Sequence, residues 1–260
     1  MFQKALREYE AVSHAQDIAS CSGIDLRRLA WVRPLASDYA SNFANVASLY
    51  AGDPASRDAW TSAIARAQQH RRSRNEVAAV VHAQQEHRGA PPEARAAASL
   101  LENPETVAIV TGQQAGAFGG PLFTLLKALT AVQLARRTAI EHRVPAVAIF
   151  WVDAEDHDWN EVQSATVLDG HLHPKTVSIP DLDGAGHLPV AALTLDGRIA
   201  SVIDELAGAL APTDFTDWVI DSLADWVDCE NVPEHRDRVR EQKRRDHEHY
   251  LRVYRERYGP

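Results

Sequence analysis

The sequence predicts an α/β fold with a parallel sheet, and two short apolar segments separated by an amphipathic helix support that prediction. Residues 106–110 (TVAIV) and 145–152 (PAVAIFWV) have the composition of strands buried on both faces. Between them, Pro121 begins a helix with one apolar face, formed by Leu122, Leu125, Leu126, Leu129 and Val132. Two strands joined by a helix form a βαβ unit, so we expect parallel strands and a right-handed crossover.

The chain before this unit reads as helical. Residues 58–67 and 75–85 are rich in Ala, Gln, Arg and Glu, with apolar residues at helical spacing. Pro91 and Pro92 interrupt that pattern, and Pro92 occupies the first turn of a helix that reaches Leu101. We therefore assign residues 1–102 to a helical N-terminal segment.

After the βαβ unit, the sequence predicts a small hairpin insertion and one more helix. Residues 164–168 and 176–179 flank an Asp169–Gly170 turn, and residues 199–210 have a helical pattern. The core is therefore assigned to residues 103–223. Residues 224–260 form a charged tail, expected to be a solvated helix or disordered, because it has too few apolar positions to bury a stripe.

Composition excludes several classes of function. The chain has 260 residues, of which 45% are hydrophobic, and a net charge of −9, which is unlike the basic patches of nucleic-acid-binding proteins. It has no apolar stretch long enough for a membrane span, and its first ten residues do not have the pattern of a signal peptide. Two distant cysteines favour a reducing compartment. We expect a cytoplasmic protein that binds small molecules.

A glycine-rich segment, TGQQAGAFGG at residues 111–120, follows the first predicted strand as a loop. Glycine permits close backbone approach to a ligand, and the N-terminus of the following helix favours an anion. The candidate binding residues are Gly112, Gln113, Gln114, Gly119, Gly120 and Lys127. The ammonium of Lys127 either reaches a phosphate or carboxylate or extends to the surface. The spacing matches neither GxGxxG nor a Walker loop, and a tight turn without a ligand remains the alternative.

An acidic segment, DAEDHDWNE at residues 153–161, follows the second predicted strand. Ligands bind at the carboxyl ends of parallel strands, so we expect it to face the glycine-rich segment. Its candidate catalytic residues are Glu155, Asp156, His157 and Asp158. Crowded carboxylates are expected to raise one another's pKa, which suits acid–base chemistry, and the same groups could bind a divalent metal. The structural alternative is an acidic turn that caps a helix beginning near Trp159.

These two segments resemble the bacillithiol biosynthesis cysteine-adding enzyme family (BshC, a cysteine ligase family). The resemblance rests on TGQQAGAFGGPLFTLLKALTAVQLA at residues 111–135 and VPAVAIFWVDAEDHDWNEVQSATVLD at residues 144–169, and it ends near Leu223. It implies a Rossmann-like core that is incomplete relative to longer family members, so we expect a truncated relative. For the full-length family it also implies homodimers.

The resemblance implies that cysteine is joined to glucosaminyl-malate, with ATP or another nucleotide for activation. The glycine-rich residues would line the substrate or phosphate pocket, and the acidic loop would polarise the groups being joined. Two alternatives stay open at this point. One is a metal-dependent hydrolase that uses the carboxylate–histidine loop, and the other is a non-catalytic, truncated remnant. The sequence leaves open whether a metal takes part and whether this chain is an active ligase or an inactive fragment.

Overall fold

A computed structural model of the chain describes residues 25–229 and Arg252. Within this range the chain forms helices and strands in the order that the α/β prediction requires, and that class is confirmed. The helices are α1 Pro34–Ser41, α2 Arg57–Gln69, α3 Arg74–His87, α4 Pro92–Ser99, α5 Leu122–His142, α6 Trp159–Val162, α7 Arg198–Ala209 and α8 Thr216–Cys229. The strands are β1 Val107–Gln114, β2 Ala146–Asp153, β3 Ser164–Leu168 and β4 Pro174–Ser178. Of the charged tail predicted at residues 224–260, residues 224–229 belong to α8, and the rest lies outside the described residues, apart from Arg252.

The chain divides into two compact units. Among the described residues, the first unit extends to Ile109 and includes Gln133–Val147, and the second comprises Val110–Val132 and the residues from Ala148 onward. This division does not fall at residue 102, because residues 103–109 and the end of α5 group with the N-terminal helices. The guanidinium of Arg57 donates to the carbonyl oxygen of Glu141 at 2.7 Å. The domain boundaries given above remain a prediction.

The first unit contains the predicted N-terminal helices. Helix α2 begins after Ser56, whose side chain accepts a hydrogen bond from the Ala59 N–H, and α4 begins at Pro92 as predicted. Arg74, the first residue of α3, donates to the carbonyl oxygens of Asn103 at 3.2 Å and Thr106 at 3.1 Å. This side chain therefore ties a helix to the segment that leads into β1.

Strands β1 and β2 form one sheet, and their contacts show that they are parallel. At the start of both strands, the Val107 N–H donates to the carbonyl oxygen of Pro145 at 2.9 Å. Near the other ends, Gly112 lies against the backbone of Trp151. Because the first residues of the two strands are neighbours and so are their last residues, the carboxyl ends of both strands lie at the same edge of the sheet. The glycine-rich and acidic segments both leave from that edge.

Two expectations about this sheet are wrong. Strand β1 continues to Gln114, so the first four residues of the expected loop at residues 111–120 are strand residues. The strands are also not buried on both faces, because Val110 is 62% exposed and Trp151 66%. Among the described residues this sheet has only two strands, so each of them is an edge strand.

The predicted apolar face of α5 is likewise exposed rather than buried. Leu122 is 73% exposed and Leu125 56%. The side chains that α5 buries are the smaller ones of Ala131, Ala135 and Thr138. The helical period was correct, but the leucine face has no covering element among the described residues of its own unit. An exposed apolar surface of this kind is typical of an interaction site.

The second unit is organised around one apolar core. Strands β3 and β4 pair antiparallel, with Ala165 opposite Val177, which confirms the predicted hairpin. Helix α7 packs its buried face against that hairpin, and α8 packs against α7. The sequence reading did not assign α8. The buried residues of this core are Ala117, Trp159, Val162, Val177, Ile179, Leu182, Ile199, Val202, Ile203, Leu206 and Ala209. Within the described range, no helix is both long enough and apolar enough to cross a membrane.

Candidate functional site

The glycine-rich segment ends in a single turn that is anchored in the core of the second unit. Residues Ala117–Gly119 form a 3-10 turn, and Ala117 is buried in that core. Gly119 and Gly120 have φ values of 89° and 74°, which glycine adopts at low cost. The chain therefore reverses here in a conformation that depends on these two glycines.

At position 112 glycine is required for a different reason, which is the close approach of two strands. It is a residue of β1, and a Cβ at this position would lie 2.7 Å from the carbonyl oxygen of Trp151 in β2. Real Cβ atoms do not approach backbone oxygens so closely, so only glycine fits while the strands keep this spacing. Strand packing alone accounts for the glycine, and the predicted contact of Gly112 with a ligand remains a prediction.

The acidic segment is anchored in the same core. Trp159 is buried, and its indole N–H donates to the Asp181 carboxylate at 3.0 Å. The backbone carbonyl of Asp156 accepts from the Val190 N–H at 2.9 Å. The carboxylate of Asp158 caps α6 by accepting from the Glu161 N–H at 3.2 Å. The capping alternative considered for this loop therefore describes Asp158 well.

The two segments meet through Gln114. Its side-chain Nε2 donates to Oε2 of Glu161 at 3.1 Å, and its Oε1 accepts from Nε2 of Gln113 at 2.9 Å. The Gln114 amide is also close enough to the Asp156 carboxylate to lower its pKa. His157 Nδ1 lies 3.8 Å from Asp156 Oδ1. Gln114 and His157 therefore lie at one end of the sheet and border the same carboxylate.

Hydrogen bonding, rather than crowding, controls the charge of Asp156. The backbone N–H of Asp158 is the main cause that lowers the pKa of this carboxyl group. Burial opposes the shift, while the His157 backbone N–H, the Gln114 amide and the charge of His157 lower the pKa further. The expectation that neighbouring carboxylates raise one another's pKa is wrong for Asp156. Asp156 is a stable anion at neutral pH.

Lys127 is directed toward the protein's own backbone and amides. Its ammonium donates to Oε1 of Gln113 at 2.7 Å and to the carbonyl oxygen of Gly112 at 3.1 Å. It also lies 5.2 Å from the centre of the Phe123 ring. The ammonium is engaged within the protein instead of extending to the surface, which was one of the two options given by the sequence. The proposed binding role remains a prediction.

Glu155 is exposed and takes no part in these hydrogen bonds. In the part of the chain that the structure describes, no three His, Cys, Asp or Glu side chains are arranged to hold one metal ion.

The sequence reading did not select Glu161, although it accepts from Gln114. The spacing of Asp158 and Glu161 is a capping pattern that places the glutamate in the first turn of a helix, and this signal could have identified it.

Comparison with known proteins identifies the family. The family model described as "Bacillithiol biosynthesis BshC, N-terminal Rossmann-like domain" matches residues 20–234. The chain belongs to the BshC family. Both candidate segments lie inside the matched region, and the Rossmann-like assignment of the core is confirmed.

Relatives of this BshC chain come from several bacteria and share one name, "Putative cysteine ligase BshC". The Salinibacter ruber protein is 36% identical over 188 residues, which cover 72% of this chain and 34% of the relative. The Symbiobacterium thermophilum protein is 39% identical over 126 residues, 48% of this chain and 22% of the relative. The Solibacter usitatus protein is 41% identical over 125 residues, which cover 48% of this chain and 23% of the relative. The chain thus spans about a third or less of the length of these relatives. Neither the hydrolase nor the remnant alternative is supported by these matches.

Proposed function

We propose that this chain provides the N-terminal, Rossmann-like part of a cysteine ligase that joins cysteine to glucosaminyl-malate in bacillithiol biosynthesis. The observation that carries the proposal is the meeting of the two family segments at Gln114, which contacts the acidic loop at the carboxyl edge of a parallel sheet. Ligands bind at this edge in open α/β sheets. The names of the relatives supply the reaction type.

The proposed roles follow from the charges at this edge. An amide forms when the substrate amine nitrogen bonds to the carboxyl carbon of cysteine. The bond from that carbon to the activated carboxyl oxygen breaks, this oxygen leaves with the electron pair and its activating group, and the amine loses a proton to a base. Asp156 is a weak base because its pKa is lowered, so its role is to attract and orient the ammonium group. His157 is the general base, because imidazole is the side chain most often used for this step. Its ring is 73% exposed and can return the proton to water.

Activation by ATP or another nucleotide belongs to the proposal, but the glycine-rich turn does not fit a phosphate in this conformation. The N–H of Gly119 donates to Gly116 at 3.2 Å, and the N–H of Gly120 donates to Ala117 at 2.9 Å. The ammonium of Lys127 is also engaged within the protein. These predicted phosphate ligands are already hydrogen-bonded, so we derive no step through a nucleotide at this turn.

The proposed setting is the cytoplasm, with small molecules as partners. A net charge of −9 and two widely separated cysteines support this setting. Nucleic acid and membrane are not proposed partners. A homodimer is proposed for the full-length family only.

Genetic complementation tests the function. A bacterial strain that makes bacillithiol but lacks its own BshC receives this chain alone, or this chain fused to the part of the Salinibacter ruber relative that follows the matched segment. Bacillithiol is measured by mass spectrometry after thiol labelling. We expect the fusion to restore bacillithiol and His157→Ala to lower the rate of product formation by about 10²–10⁴, the usual contribution of a general base. Gln114→Ala is expected to lower it as well.

Matched substitutions outside the glycine-rich segment (residues 111–120) and the acidic segment (residues 153–161) provide controls. His187→Ala removes an exposed imidazole, and Gln163→Ala removes an amide that bonds Asn160. Both are expected to leave product formation unchanged. If Gln114→Ala and His157→Ala fusions made as much bacillithiol as the controls, the proposed site would be wrong. If no fusion made any, although the intact relative did, the proposed function of this chain would be wrong.

A further inference from the structure

Lys127 stands at one end of a chain of side-chain hydrogen bonds that reaches the acidic loop. Its ammonium donates to Oε1 of Gln113 at 2.7 Å, and Nε2 of Gln113 donates to Oε1 of Gln114 at 2.9 Å. Nε2 of Gln114 then donates to Oε2 of Glu161 at 3.1 Å. Three consecutive contacts therefore join helix α5, the end of β1 and helix α6.

The donor and acceptor types at the two ends fix the direction of this chain. An ammonium group has only donors, and an ionised carboxylate has only acceptors. Because Lys127 can only donate, the Gln113 carbonyl faces it and the Gln113 NH2 faces Gln114. The Gln114 NH2 is then left to face Glu161. A flipped amide at either glutamine would set oxygen against oxygen or NH2 against the ammonium.

We propose that Lys127 is a positioning residue, which orients the Gln114 amide so that its NH2 faces the carboxylates of the acidic loop. Its second bond, to the carbonyl oxygen of Gly112 at 3.1 Å, fixes the ammonium relative to β1. Glu161 is the matching acceptor at the far end. This proposal rests on the proposed function only for its catalytic consequence, because the orientation itself is a property of the free protein.

The carboxyl titration of Asp156 reports the orientation without any substrate. The Gln114 amide is one of the groups that lower the pKa of Asp156, while Lys127 is not among the charges that do so. In the full purified chain, carbon-detected NMR follows the Asp156 carboxyl group through its titration. We expect Lys127→Met to raise the pKa of Asp156, because Gln114 is then free to turn its oxygen toward the carboxylates.

A double-mutant cycle separates this indirect effect from a direct charge effect. In a chain that already carries Gln114→Ala, adding Lys127→Met is expected to leave the pKa of Asp156 unchanged. Lys127→Arg keeps the donors and is expected to keep the wild-type pKa. Lys175→Met removes the other lysine among the described residues, on β4, and serves as the matched control. Resonances of the β3–β4 hairpin show whether each variant is folded, and Lys127→Leu, which also lacks a donor, replaces Lys127→Met if that variant is not folded.

Two results would overturn the proposal. One is an unchanged pKa of Asp156 in folded Lys127→Met, or in the folded Lys127→Leu that replaces it, and the other is the same upward shift with and without Gln114. In the fusion described above, Lys127→Met is expected to lower product formation by roughly 100-fold, as misplacement of a catalytic group does. If Lys127→Met shifts the pKa of Asp156 but the fusion with the wild-type chain makes no bacillithiol, the positioning role stands and the ligase function is rejected.

Discussion

Replacing Gly112 by alanine adds one methyl group where two strands approach closely. The new Cβ would lie 2.7 Å from the carbonyl oxygen of Trp151 and 3.2 Å from its Cβ. Backbone atoms of a neighbouring strand cannot rotate away, so β1 and β2 must separate locally. Overpacking of this kind costs about 1–3 kcal/mol. For a protein of this size each kcal/mol lowers Tm by about 2–4 °C, so Gly112→Ala is expected to lower Tm by roughly 2–12 °C.

Gly208→Ala is the matched control, because it makes the same chemical change in the same unit. Gly208 lies inside α7, and no atom is within 4 Å of the position that its Cβ would take. Alanine favours a helix interior over glycine by about 0.8–1.0 kcal/mol, so Tm is expected to rise by roughly 2–4 °C. Differential scanning calorimetry of the purified chain without ligands measures both. A Gly112→Ala protein as stable as wild type would refute the steric explanation and favour a direct ligand contact for this glycine.

Two further predictions concern the exposed leucines and Asp156. Leu125 and Leu129 are 56% and 48% exposed, so Leu125→Ser and Leu129→Ser are expected to change the free energy of unfolding by no more than about 0.5 kcal/mol. Ile203→Ala, in the core, is expected to cost about 2–5 kcal/mol. Urea titrations that showed a loss as large as that of Ile203→Ala for the leucine variants would mean that this face is covered. The folded-state pKa of Asp156 is lowered, so its stabilising contribution is present above the ordinary aspartate pKa of about 3.9 and is lost as the pH falls through the lowered value. Asp156→Asn is therefore expected to lessen the acid sensitivity of unfolding as the pH falls below the ordinary aspartate pKa, and an identical pH profile would contradict the assigned shift.

Local patterns predicted most of the secondary structure, because the chemistry that determines it lies within a few residues. Helix α4 begins at Pro92, as the fixed φ of proline implies. The β3–β4 hairpin forms around Asp169, whose carboxylate accepts from the His171 and His173 N–H groups in the turn. Helix α8 was not assigned from the sequence, although this helix contains Trp218 and further apolar residues close to it.

Burial and charge could not be read in the same way, because burial depends on neighbours far away in the chain and charge depends on the conformation of a turn. The apolar composition of β1 and β2 predicted burial on both faces, yet Val110 and Trp151 are exposed, since burial requires neighbours that composition alone does not supply. The pKa of Asp156 shows the same limit. The number of carboxylates is visible in the sequence, but the Asp158 N–H that dominates the shift is placed by the conformation of the turn.

The meeting of the two family segments follows from regular structure at both ends of the contact. Gln114 is the last residue of β1, where the strand fixes its backbone, and Glu161 lies in α6, which Asp158 caps. The turn after Gln114 inserts Ala117 into the same core that holds Trp159 at the start of α6. Side chains supported by strands and helices are held more precisely than side chains on free loops. The 3.1 Å contact between Gln114 and Glu161 is therefore a fixed feature of the second unit, and a substrate that binds at this edge meets an amide whose direction is already set.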